Sequence, residues 1–102
     1  MSDTDRIRLI AVAIEHRRRL TLVYNGGPRV LEPHTLGADA SGAMLVCGYQ
    51  VRGSSRSGQG AGWKTLALAR IGEIAALDEH FSRPRPEYKR DDPGFARIDA
   101  QL

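Results

Sequence analysis

The stretch Met44-Leu-Val-Cys-Gly-Tyr-Gln-Val51, the loop Arg52-Gly-Ser-Ser-Arg-Ser-Gly-Gln-Gly-Ala-Gly62 and the run Trp63-Lys-Thr-Leu-Ala-Leu-Ala-Arg-Ile71 together decide how this chain folds. Alternate side chains of a strand share a face. Leu45, Cys47, Tyr49 and Val51 therefore fall on one face of the first run, and Leu66, Leu68 and Arg70 are in phase in the second. The loop between them carries two arginines, three serines and four glycines, so it offers donors and no negative charge. It is expected to be a flexible connection that acts as a lid. Specificity is expected from Tyr49, Lys64 and Arg70 on the strand ends beside it.

Working outward, Ser2-Asp-Thr-Asp5 supplies N-cap residues, and Ile7, Ile10, Ala11 and Ile14 follow at the spacing of one helix face, predicting a helix from about residue 4 to 18. Its end, His16-Arg-Arg-Arg19, places cations at the negative end of the helix dipole, which suffices to explain that cluster. Leu20–Asn25 reads as a short strand ending in the turn Asn25-Gly-Gly-Pro28. Arg29–His34 is extended, and Pro33, lacking an N–H, marks an edge or a bent strand end. Ala38–Gly42 is a further turn, and Gly48 signals a bulge or tight bend. The segment from Ile71 to Asp78 fits a helix or a strand equally well. After it, Arg83-Pro-Arg-Pro86 should be extended, and Phe95–Ala100 should form a weak helix.

The pattern is that of a mainly β chain with an N-terminal helix and four or five short strands, an open or closed small barrel. A length of 102 residues gives one modest core. The domain is expected over residues 1–81, with 82–102 a Pro/Arg-rich tail that packs on the barrel or on a partner through Phe81, Tyr88 and Phe95. No apolar run approaches the roughly 20 residues needed to cross a bilayer, and the N-terminus does not read as a signal peptide. A cytoplasmic location is expected.

Cys47 is the single cysteine, too few for a disulfide framework or a zinc finger, and its apolar neighbours read as those of a packed core thiol. His16, His34 and His80 lie at no metal-ligand spacing, so no metal is expected. The loop imitates a phosphate-binding loop, but Trp63 separates the glycine from the lysine and a strand follows where a helix should begin. With no nucleophile and base in evidence, no enzymatic activity and no cofactor are expected.

The formal net charge of +3 is unevenly spread. From His16 to Arg70 eight Arg and Lys face only Glu32 and Asp39, whereas from Glu79 to Leu102 five basic and five acidic residues cancel. Thirteen of the fifteen cations are Arg, whose planar fork suits phosphate. A solvated basic face accounts for the charge equally well. Tyr24, Tyr49 and Trp63 interleave with Arg29, Arg52, Arg56, Lys64 and Arg70, the combination that binds nucleic-acid single strands on small barrels. The cations are assigned to phosphate, the aromatics to stacking, and His34 or Gln50 to base or sugar.

In the order helix, Tyr24, Arg29-Val-Leu-Glu-Pro33 with Leu36, then Leu66-Ala-Leu-Ala-Arg-Ile71, the chain resembles the WYL domain over roughly Ile7 to Phe81. The resemblance implies a five-stranded Sm-like or SH3-like barrel behind a helix, acting as a ligand-sensing module in bacterial transcription regulation and binding nucleotides or single-stranded nucleic acid. Ala43-Met44-Leu45 stands where that family has Trp-Tyr-Leu, and Lys64 stands where it has an arginine; Arg70 matches directly. The likeness implies a divergent, free-standing member without a helix-turn-helix. The other expected role is a partner-binding or self-assembling module, since Sm-like barrels associate edge to edge.

Overall fold

The computed structural model describes residues 2–53 and 61–102. Helix α1 spans Asp3–His16. Ser2 caps it reciprocally: the Asp5 N–H donates to Ser2 Oγ at 3.2 Å, and the Ser2 N–H donates to Asp5 Oδ2 at 3.4 Å. Asp3 and Asp5 also oppose the positive end of the dipole. The helix stops at Arg17, which adopts φ 52° and donates its N–H back to Ala13 and Ile14. Arg18, expected in the last turn of the helix, instead begins a strand with Arg19.

That strand, β1, runs Arg18–Tyr24, and β2 spans Gly27–Ala38. Asn25 and Gly26 join them, both at positive φ, with Tyr24 opposite Gly27. This is the two-residue type I′ hairpin whose twist suits its strands. β3 covers Met44–Gly53 and β4 covers Gly62–Ala67. A 3₁₀ turn, Leu68–Arg70, ends the run expected to continue to Ile71, and β5 follows over Ile71–His80, resolving the ambiguous segment as strand. β6 is Arg97–Gln101, where a weak helix was expected.

The strands form one antiparallel sheet in the order β4-β3-β2-β1-β5, with β6 added to β2. Among the described residues β4 and β5 end the path without pairing to each other, so the sheet is open, and it has six strands rather than five. β2 is its centre, pairing with β3 over Arg29–Ala38, with β1 in its first half and with β6 in its second. Pro33 thus lies in a central strand rather than at an edge. It is tolerated because β2 bulges beside it: Pro33 faces Gly48 and Thr35 faces Cys47, leaving His34 as the extra residue. Gly48 itself is a close approach, since an added Cβ would stand 2.4 Å from the Glu32 carbonyl oxygen.

One sheet face packs on α1. Ile10, Ala13 and Ile14 meet Leu20, Leu22, Leu31, Leu36, Val46, Leu66, Leu68, Ile71 and Ile74, all buried. Each of these Leu, Ile and Val side chains contributes about 1.5–3 kcal/mol when taken from water. Arg6 ties the helix to the sheet's far end, its guanidinium donating to the carbonyls of Leu68, Ile71 and Gly72. Leu45, Cys47, Tyr49 and Val51 are only half-buried; the buried residues of β3 are Val46, Gly48 and Gln50. The opposite face is crossed by residues 81–96.

Candidate functional site

The side chains singled out in the sequence fall into two groups. At the β1–β2 hairpin end, Tyr24 is buried and its hydroxyl accepts from the Ala67 N–H at 3.2 Å. Two guanidiniums approach its ring: Cζ of Arg29 lies 5.1 Å and Cζ of Arg70 lies 5.4 Å from the centroid. Arg70 is exposed and donates to Asn25 Oδ1 at 2.5 Å. Arg29 is only 6% exposed and donates to Gln50 Oε1 at 3.3 Å, yet its Nε has no hydrogen-bond partner. Among the described residues neither arginine forms an ion pair with a carboxylate. A buried cation compensated, among the described residues, by a ring and an amide alone is costly, and it favours an anion beside it.

The second group lies on the other face, in the middle of the sheet. Glu32, fully buried, receives Arg19 at 2.9 Å and both prongs of Arg85 at 2.7 and 3.1 Å. Burial alone would raise its carboxyl, but the hydrogen bonds from Arg85 and Arg19 hold it below the ordinary carboxylate range. Arg19 also reaches Glu79 at 3.2 Å, and Glu79 receives Arg52 at 2.7 Å, so Arg52 is already paired.

His34, placed inward by the bulge, is fully buried. Its Nε2 accepts the Arg85 backbone N–H at 3.1 Å, which assigns the proton to Nδ1, 2.7 Å from the Glu32 carbonyl. Burial holds this imidazole below its ordinary pKa, so it is neutral near pH 7. Its ring meets Trp63 edge-on at 4.8 Å, stacks with Phe81 at 5.5 Å and tilts against Tyr88 at 5.2 Å. Tyr49 and Trp63 join the same cluster, 5.9 Å apart. Tyr24, Arg29 and Arg70 are therefore brought together. His34, Tyr49 and Trp63 form a separate aromatic set beneath residues 81–88, and Arg52 belongs to the charge network. Lys64 is half-buried on β4 opposite Gly48. Arg56, and the lid role given to its loop, lie outside the described residues.

No known protein family, curated protein or solved structure matches the chain. The site is read from its own chemistry. Among the described residues no three of His, Cys, Asp and Glu gather as a metal site. Cys47 is half-buried, and burial pushes its thiol above the ordinary range, away from a reactive thiolate. Among the described residues no helix is long and apolar enough to cross a membrane. Sequence reasoning passed over Arg19, Glu32 and Arg85 as site residues. The alternation of Arg and Pro at 83–86 was visible, but its carboxylate partner lies 53 residues away.

Proposed function

We propose that the chain is a non-enzymatic module that binds an anionic ligand, a nucleotide or single-stranded nucleic acid, at the Tyr24–Arg29–Arg70 end of the sheet. The observation that carries this reading is the pair of guanidiniums on one tyrosine ring, one of them buried with an unpartnered Nε. Arg70 at the surface meets phosphate, Tyr24 and Arg29 form the floor, and Asn25 and Gln50 supply amides for base or sugar. The resemblance to the WYL domain, and the Sm-like or SH3-like barrel it implies, is part of this proposal; the sheet found here is open. In that reading the module senses its ligand within bacterial transcription regulation, in the cytoplasm.

Fluorescence anisotropy with a labelled oligonucleotide and a labelled nucleotide tests the proposal. Arg70→Ala should weaken binding by roughly tenfold or more, as expected for loss of a charged hydrogen bond. No binding to either probe by the unaltered protein at low salt would end it. A second reading, assembly with another chain, rests on β4 and β5, which among the described residues each pair with a strand on one side only. Light scattering separates the two: Arg70→Ala leaves assembly intact.

A further inference from the structure

Residues 81–88 cross the outer face of β2, β3 and β4 with no strand pairing of their own. Their backbone anchors lie at the ends of the crossing: the Phe81 N–H donates to Arg17 O at 2.9 Å, and beyond it the Ala96 N–H donates to Ala38 O at 2.8 Å. Between these anchors the segment is held mainly by recognition of side chains. Arg85 forks onto Glu32, and its Cζ sits 4.5 Å from the Tyr49 ring centroid. Its N–H is received by His34 Nε2, and the next residue, Pro86, accepts the Trp63 Nε1–H at 3.0 Å. Tyr88 then turns back, its N–H donating to Arg85 O at 3.2 Å, and stacks over Trp63 at 6.4 Å.

On the sheet side these contacts come from four residues of three strands: Glu32 and His34 on β2, Tyr49 on β3 and Trp63 on β4. This is the composition of a proline-peptide receptor, an aromatic groove with one carboxylate that selects arginine. Each part matches the peptide chemically. The bidentate carboxylate reads a guanidinium, Tyr49 covers its face, the imidazole takes the one N–H that Arg85 offers, and the indole reads a carbonyl of proline, which has no N–H to place. A cavity of about 410 Å³ beside the groove, bordered by Arg19, Glu32, Phe81, Arg83 and Arg85, leaves room along the segment.

We propose that this face is a docking site for an arginine–proline peptide of a partner protein, closed in cis by the chain's own Arg85–Pro86. The occupant is argued from charge complementarity and from the segment already seated there. Lifting that segment leaves the buried Glu32 with Arg19 alone and uncovers Trp63, His34 and Tyr49, so the opened groove demands an arginine. The hydrophobic core lies on the other sheet face, against α1, and survives the opening. A tethered occupant has an effective concentration on the order of millimolar or above, so the unaltered chain rejects a weak competitor and yields only to a tighter or multivalent one.

The single tryptophan, Trp63, reports on the groove directly. Full-length Arg85→Ala is titrated with a synthetic peptide of residues 82–90 while Trp63 emission is followed. Saturable binding is expected, at least about tenfold weaker for the peptide with alanine in place of Arg85 and lost when Glu32→Gln is added, whereas the unaltered protein shows no change up to roughly 0.1 mM peptide. Equal response to the two peptides, or no response from an Arg85→Ala chain with unaltered circular dichroism, overturns the proposal. Should that variant not fold, amide exchange on the unaltered chain decides. The Arg85 and Tyr88 amides exchanging at least tenfold faster than β2 and β3 supports an opening groove, and exchange only with global unfolding refutes it. A concentration-dependent dimer of the unaltered chain that Glu32→Gln dissolves would assign the groove to a second copy and overturn the partner reading.

Discussion

Arg29 and His34 show how one strand carries two opposite solutions to a buried polar group. Arg29 is buried with one nitrogen unpartnered, a standing cost that a ligand would relieve. Replacing it by Met, of similar reach, should leave urea stability unchanged or raise it by about 1 kcal/mol while abolishing anion binding, because well-packed apolar groups often outperform a buried charge. Stability that fell by several kcal/mol would instead make Arg29 structural.

His34, in contrast, is fully satisfied as the neutral imidazole. Its folded pKa lies below the ordinary 6.5, so the unfolded chain binds more protons and stability is lost as pH falls below that value. Glu32, whose pKa is also lowered, adds a loss that begins only below its ordinary 4.5. The urea midpoint should therefore drop between about pH 7.5 and about pH 5, and His34→Gln should flatten that drop. A profile equally steep in the variant would clear His34 of the effect.

At the level of elements, β6 has the least local support and a large tertiary role. Arg97–Gln101 pairs with β2 through Leu36↔Ala100 and Ala38↔Arg97, and Ala100 and Leu102 pack on the core. The Leu102 N–H donates to His34 O at 3.0 Å, and Tyr88 Oη donates to Leu102 O at 3.1 Å, so the same strand steadies the crossing segment. A chain ending at Ala96 should lose about 3 kcal/mol or more, from burial of a few apolar side chains and the ladder. Thermal melting followed by circular dichroism measures it; an unchanged melting temperature would show that β6 is dispensable. The α1 cap and the β1–β2 turn were legible because their determinants are neighbours in sequence, Ser2 with Asp5 and Asn25 with Gly26. β6 was not, since Arg97-Ile-Asp-Ala-Gln101 becomes a strand only because β2 offers an edge.

Across the whole molecule, the basic excess between His16 and Arg70 is divided by the fold. Arg19 and Arg52 are neutralised by Glu32 and Glu79, while Arg29 and Arg70 stay without carboxylate partners among the described residues. If those two meet two phosphates of a single strand, the logarithm of affinity should fall with the logarithm of salt at a slope of about −1.4. A slope near zero would point to a ligand without charge. The charge pattern was readable in the chain, but the division into paired and unpaired arginines was not.

By itself the sequence determined the capped helix, a turn after Tyr24, the alternation of the strands and the arginine-rich composition, because each depends on residues a few positions apart. Only the tertiary structure decided which face of Met44–Val51 is buried, that Pro33 sits at the centre of the sheet, and that His34, Tyr49 and Trp63 lie under the chain's own Arg85. Those outcomes depend on a bulge that adds one residue to β2 and on a carboxylate meeting an arginine 53 positions away. Local periodicity carries no record of either. The stretch from Met44 to Ile71 thus contributes to two surfaces: Gln50 accepts a hydrogen bond from Arg29, and Tyr49 and Trp63 face the peptide groove.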